Sequence, residues 1–214
     1  MRRYVTLVTL IALVVAPGAA LRAQGRGRGL VEVPARPLRA GLYVTGGLGD
    51  GQEQYKYSDD PLGYTNWLSS PAAMLRIGGT PSPSVRLGGE LFGWWNRFYN
   101  ADPDIQTHAT DSFGVLLLDA QFYPAVRSGF YVKGGLGLAR SAESYECCFE
   151  TVSESGFGWG VGAGYDFQLS RNISIAPTVD FYQGSFSERD NPTITEHVLN
   201  IGASITFQSG RRRF

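Results

Sequence analysis

The stretch Gly156-Phe-Gly-Trp-Gly-Val-Gly-Ala-Gly-Tyr-Asp-Phe167 decides how the rest of the chain is read. Every odd position from Phe157 to Phe167 is apolar or aromatic, and every even position is Gly until Asp166. A period of two places these sets on opposite faces of an extended strand, one greasy and the other small or charged. Helical three-to-four spacing is not sustained anywhere in the chain.

Outward from that stretch the same alternation recurs, and eight segments can be laid out at roughly 40–49, 70–79, 84–95, 111–123, 129–140, 156–168, 172–183 and 196–207. Their connections alternate in length. Pro81-Ser82-Pro83, Pro124 to Ser128 and the residues around Ser170-Arg171 make short turns, whereas roughly 50–69, 96–110, 141–155 and 184–195 are long and polar. Short turns at one end and long loops at the other predict an all-β fold, an eight-stranded antiparallel up-and-down transmembrane β-barrel with its short turns in the periplasm. An even strand count returns both ends of the barrel to the side from which an exported chain arrives.

The composition fits an exported barrel. The 214 residues carry 19 Lys plus Arg and 19 Asp plus Glu. A mean hydropathy of −0.12 excludes a bundle of membrane helices, each of which needs about 20 apolar residues. Only Tyr4 to Leu21 comes near that length. It follows Arg2 and Arg3 and is broken by Pro17 and Gly18 before Ala19, Ala20 and Ala23, so residues 1–23 read as a secretory signal peptide. Their removal takes away Arg2, Arg3 and Arg22 and no acid, leaving 16 basic against 19 acidic residues. That mildly acidic balance offers no polybasic surface for nucleic acid. Residues 24–39, rich in Gly, Arg and Pro, read as a flexible leader, 40–207 as the barrel, and 208–214 as a basic C-terminal tail.

A soluble barrel points its apolar face inward; a membrane barrel points it at lipid. Opposite the apolar face of each segment fall Arg76, Arg86, Glu90, Asp119, Lys133, Asp166 and Asp180. Seven charges do not line an apolar cavity, so these predict a polar lumen whose ions must pair. About a turn centred near Val126, Asp119 and Lys133 stand opposite each other and are expected to form a cross-strand ion pair, the remaining acids sharing Arg76 and Arg86. Gating of a narrow ion path by these charges is the functional alternative. On the lipid face, Phe122, Phe130, Phe167 and Phe207 fall at the periplasmic ends and Trp95, Phe157, Trp159 and Phe181 toward the loop ends, two aromatic girdles of the kind that interfaces favour.

With these strands, the chain resembles the small eight-stranded outer-membrane barrels of Gram-negative bacteria, the superfamily of OmpA-like transmembrane domains, OmpX and the opacity-type proteins. Three pieces carry the resemblance: Gly41-Leu-Tyr-Val-Thr-Gly-Gly-Leu-Gly49, its near copy Gly129-Phe-Tyr-Val-Lys-Gly-Gly-Leu-Gly137, and Gly162-Ala-Gly-Tyr-Asp-Phe167. It implies residence in the outer membrane, contact with its lipid and lipopolysaccharide, and insertion by the barrel-assembly machinery. Asn200, Gly202, Ile205 and Phe207 resemble that machinery's C-terminal signal. In the superfamily the Phe usually ends the chain; here Gln208 to Phe214 follow, and Phe214 competes as the terminal aromatic.

Sites of chemistry are sparse. His108 and His197 are the only histidines, so no multi-histidine metal site is available. Lipid A deacylases of the outer membrane use a His and a nearby Ser, but in His197-Val-Leu-Asn200 the matching position is Leu199. There is no G-x-S-x-G and no G-x-G-x-x-G, so neither a catalytic residue nor a cofactor is expected. Cys147 and Cys148 are adjacent in a long loop, which leaves a vicinal disulfide, an intermolecular link or two free thiols. The long loops also hold Tyr55, Tyr57, Tyr64, Trp67, Phe98, Tyr99, Tyr145, Phe149 and Phe186, suited to partner contact or to packing over the rim. The expectation is a non-enzymatic barrel that supports the envelope and presents four loops for surface interaction such as adhesion. The alternatives are a narrow passive pore or hydrophobic-solute conduit and, more weakly, a lipid-modifying enzyme.

Overall fold

The computed structural model describes residues 38–59, 63–100, 107–146, 150–187 and 193–212. They form eight antiparallel strands: β1 (Leu38–Tyr57), β2 (Leu68–Ser82), β3 (Val85–Asn100), β4 (Thr107–Phe122), β5 (Phe130–Tyr145), β6 (Glu150–Tyr165, resuming as Phe167–Gln168), β7 (Ile173–Phe186) and β8 (Ile194–Arg212). Each pairs with the next, and β8 pairs back with β1, so the sheet closes and leaves no edge.

The register sets the barrel's shape. Along the ladder, Gly46 pairs with Leu75, then Leu91, Leu116, Leu138, Phe157, Ser185 and Thr195, and the circuit returns to β1 at Lys56. The sheet therefore closes with a stagger of ten residues. Spread over eight strands, that stagger tilts them about 40° from the barrel axis. An interior of this size is just wide enough for side chains to fill.

The strands run further than the alternation alone suggested. Between them the loop-end connections shrink to residues 58–67, 101–106, 146–149 and 187–193. Above the outer aromatic residues the outward positions turn polar, and hydroxyl pairs such as Ser144 Oγ to Thr151 Oγ1 at 3.1 Å bridge neighbouring strands there. A ladder carries on into water as readily as into lipid, so the end of the apolar pattern does not end the strand. At the other end the barrel takes in residues that the sequence reading left outside it. Leu38 and Arg39 pair with Arg212 and Arg211, and Gln208 is fully buried. Gly41, with φ of +81°, accommodates the bulge between Ala40 and Tyr43 that turns this first stretch of β1 into the ladder.

One expected pairing is corrected. Asp119 lies opposite Gly135, and Lys133 opposite Gln121, so the β4–β5 register is shifted by two residues from the symmetric hairpin about Val126. The cause lies in the turn. Ser128 N donates to Ala125 O at 2.8 Å, and beyond the Phe122–Val132 pair the strands diverge. Tyr123 N donates to Ser84 O, while Gly129 O accepts from Asp166 N, so each chain end is held by its other neighbour and the hairpin centres on Arg127.

The Gly positions of β6 now have a mechanical reason. Gly158, Gly160, Gly162 and Gly164 face the lumen, and larger side chains from the two neighbouring strands fill the space they leave. A Cβ on Gly160 would meet the Tyr182 ring at 2.7 Å, and one on Gly162 would meet Lys133 Cε at 2.9 Å.

Candidate functional site

The lumen is filled in four layers, counted from the short-turn end. In the lowest, Arg86 Nη1 donates to Tyr123 Oη at 2.6 Å, Tyr123 in turn donates to Asp166 Oδ2 at 2.9 Å, and Arg86 Nη2 donates to Gln208 Oε1 at 2.9 Å. Gln208 Nε2 donates to Ala40 O at 2.8 Å. Arg39 closes this end. Its guanidinium lies 3.5 Å over the Tyr123 ring, donates to Val126 O at 3.0 Å and Ser128 O at 2.7 Å, and reaches Asp166 at 3.7 Å.

The middle layer is centred on Glu90. It accepts from Arg76 Nε at 2.7 Å and from Lys133 Nζ at 2.6 Å, and Tyr182 donates its hydroxyl to the same carboxylate. Arg76 also stands 3.5 Å from Asp119, and Lys133 stands 3.1 Å from Asp180. Asp119 thus finds its partner in Arg76 on β2, and Lys133 finds its partners in Glu90 and Asp180; the expected Asp119–Lys133 bridge is replaced by a wider network. Asp180 goes to Lys133 instead of an arginine, because the register places it opposite Gly162, within reach of the lysine.

Above the ions lies an apolar layer. Phe92 stacks on Tyr182 with ring centroids 3.9 Å apart, and Trp94, Phe113, Val198 and Phe186 pack around them. Trp94 Nε1 is satisfied by Gly51 O at 2.9 Å. Phe186, which the sequence reading placed among loop aromatics, is an inward residue of β7 and part of this layer. Above the outer aromatic row, and so beyond the membrane-spanning wall, strand alternation turns Glu53, Asp111, Glu143, Glu154 and Glu196 inward. Burial pushes the Glu53 carboxyl up to about 8, with the Asp111 charge adding to it, and burial and Glu143 raise Asp111 to about 6. Burial raises Glu196 well above the usual carboxylate range, reinforced by Glu53.

All seven sequence-predicted lumen charges lie buried inside the barrel. Three of them are cations and four are acids, which leaves one acid over until a further inward cation is counted. That cation is Arg39, hidden within a run that reads as leader because it lacks apolar periodicity; with it, four cations face four acids. On the outside, Phe122, Phe130, Phe167 and Phe207 are exposed at the short-turn end, and Trp95 and Phe157 are exposed toward the loops. Trp159 and Phe181 rest against each other at 5.6 Å on the same outer wall. Trp95 pairs with Ser112, ten residues up β4 from Phe122, a climb of roughly 25 Å at this tilt, which matches the apolar band of an outer-membrane barrel.

Asn200 faces the lumen in β8, Ile205 and Phe207 face outward, and Gly202 packs so closely on β1 that a Cβ there would fall 2.9 Å from Gly49 Cα. His197 is covered by the rings of Tyr64, at 4.4 Å, and Phe181, at 5.5 Å. Cys147, Cys148 and Phe149 lie outside the described residues. Among the described residues, Tyr55 and Tyr57 pack edge to face and Tyr99 meets His108, while Tyr64 and Trp67 keep nearly half their surface exposed. Among these residues too, no group of three or more His, Cys, Asp or Glu is arranged to hold a metal ion.

Residues 29–207 match the outer membrane protein beta-barrel domain family. The chain belongs to this family. Several solved structures are similar to this chain. Neisserial surface protein A shares 12% identity, with 79% of this chain and 98% of that one covered and a TM-score of 0.50. The attachment invasion locus protein Ail of Yersinia pestis, solved with the heparin analogue sucrose octasulfate, shares 15% over 78% of this chain and 99% of its own, with a TM-score of 0.49. OprG from Pseudomonas aeruginosa shares 14% over 81% and 99%, with a TM-score of 0.46. At such identities the likeness concerns the fold and not the partners. A search of curated proteins found no match. As a member of the outer membrane protein beta-barrel domain family, the protein resides in the outer membrane of a Gram-negative bacterium, its apolar wall against lipid.

Proposed function

We propose that this protein is a non-enzymatic, non-conducting outer-membrane barrel that supports the envelope and offers its loop end to surface partners. The observation that carries this reading is the filled lumen: the Glu90 network and the Phe92–Tyr182–Trp94 layer lie across the bore in succession. An ion crossing would have to displace both a buried set of ion pairs and a layer of packed rings. A lipid-modifying centre has little support, since His197 is enclosed by Tyr64 and Phe181 and is followed by Leu199 where that chemistry requires a serine nearby. Exposed Tyr64, Trp67 and Tyr99 at the loop end supply contact area for a partner.

The refolded protein in planar bilayers is expected to show no steady single-channel current above leak. Steady unitary currents would replace this reading with the narrow-pore alternative. Display of the barrel on a non-adherent outer-membrane host tests the second half, with increased attachment expected to disappear when Tyr64, Trp67 and Tyr99 are changed to Ser.

A further inference from the structure

The lipid-facing wall is not uniform. On its β3–β6 side, just below the outer aromatic row, two outward glycines are paired across strands, Gly93 with Gly114. A Cβ on Gly93 would meet nothing within 4 Å, and one on Gly114 only the Phe92 carbonyl at 3.5 Å, so the surface is hollow there and not tightly packed. Leu91, Leu116 and Leu138 stand round the hollow, each more than half exposed. Together they frame an open trough of about 550 Å³.

Arg140 stands at the upper edge of this trough. It pairs directly with Gly114 on one side and with Ser155 on the other, two residues beyond the Leu138–Phe157 pair, and so lies at the height of the Trp95 row. Its Nη2 donates to Ser153 Oγ at 3.1 Å, and among the described residues no carboxylate is within ion-pair distance. The neighbouring outward arginine, Arg97, is by contrast engaged by Glu146 at 2.6 Å. An unneutralised guanidinium at the head-group level above an apolar hollow matches one kind of molecule: an amphiphile with an acyl chain and a phosphate at the glycerol or sugar depth. Arginine is suited to this because its planar fork binds two phosphate oxygens at once.

We propose that this trough over Gly114 is a specific seat for a phosphorylated glycolipid of the outer leaflet, of the lipid A class, with an acyl chain in the trough and a phosphate on Arg140. The choice of source follows from the height of the site. The loop end faces the cell exterior, and the exterior leaflet of this membrane is built from such glycolipids. Ser153 and Ser155, beside the guanidinium, supply hydroxyls for the sugar. The seat lies outside the barrel wall and is independent of whether the lumen conducts.

The test uses the whole folded barrel in phosphatidylcholine nanodiscs doped with bis-phosphorylated lipid A, with retained lipid counted by native mass spectrometry and folding checked by heat-modifiable gel mobility. Wild-type protein is expected to retain lipid A at least fivefold better than either Arg140→Gln, which removes the charge, or Gly114→Leu, which fills the trough. Arg140→Lys keeps the charge without the fork and is expected to fall between. Gly79→Leu, at an outward glycine near the short-turn end where an added Cβ would meet nothing within 4 Å, should leave retention unchanged. Equal retention by wild type, Arg140→Gln and Gly114→Leu overturns the proposal. So does wild-type retention of dephosphorylated lipid A or of phosphatidylglycerol equal to that of lipid A, or a loss in Gly79→Leu as large as that in Gly114→Leu.

Discussion

Replacing Arg76 by Met leaves the middle lumen layer with Lys133 as its one cation against Glu90, Asp119 and Asp180. The Arg76 side chain is 1% exposed, and its Nε is 2.7 Å from Glu90 and 3.5 Å from Asp119. At an effective dielectric constant near 20, unit charges at those separations attract by about 6 and 5 kcal/mol. Desolvation of three buried ions offsets most of this, so the intact network adds little net stability; removal of one partner leaves the desolvated acids uncompensated and costs about 3–5 kcal/mol. Asp119 suffers most, because neither of its carboxylate oxygens takes an aligned hydrogen bond and Arg76 is its nearest cation. Met preserves much of the side-chain volume, which keeps the packing term small. With a urea dependence of about 2 kcal/mol/M, the unfolding midpoint falls by about 2 M. Urea titration in liposomes, followed by tryptophan fluorescence and by the heat-modifiable band, reads that shift. Arg76→Met with Asp119→Asn returns the layer to its native net charge and should recover about half of the loss. A single-variant midpoint within about 0.5 M of wild type, or identical losses in the single and double variants, would refute charge coupling across the lumen.

Other expectations follow from the same layers. Arg39→Ala takes away the stack on Tyr123 and two bonds to the β4–β5 turn but leaves Arg86 and Asp166 balanced, so it should cost only about 1–2 kcal/mol in the same titration, clearly less than Arg76→Met. Gly162→Val drives a side chain into Lys133 Cε and the Val179 carbonyl, and is expected to lose about 3 kcal/mol or to fail to refold, whereas Gly79→Val, with open space around it, should stay within about 0.5 kcal/mol. The rim acids make stability depend on pH. With Glu53 held at about 8 against an ordinary 4.5, the folded barrel keeps protons that the unfolded chain has released, so stability falls as pH rises through that window. The midpoint at about pH 5.5 should exceed that at about pH 9, and Glu53→Gln should flatten the difference; an unchanged slope in that variant would assign the dependence elsewhere.

The extended, two-faced strands were legible because a membrane barrel writes its environment into every second residue. Phe157, Trp159 and Val161 meet lipid and the intervening glycines meet the lumen, so strand number, the sense of each face and the identity of the seven inward charges could be read without coordinates. Less legible were features decided by single hydrogen bonds or by the absence of side chains. The Asp119–Lys133 pairing missed because a period of two is the same at every even offset: a two-residue slip keeps both residues inside, and only the Ser128–Ala125 turn selects between the registers. Arg39 escaped notice because an isolated inward cation in a Gly- and Pro-rich run has no periodic neighbours to mark its face. The trough over Gly114 was hidden because an isolated outward glycine leaves no mark on the apolar face.

The sequence by itself determined that this chain is an exported, lipid-facing barrel with a charged interior, since burial preference acts residue by residue along each strand. Only the tertiary structure decided which charge meets which, how the bore is filled and where the outer wall is hollow. Those depend on the ten-residue stagger with which the sheet closes, a property of eight registers at once that no single strand carries.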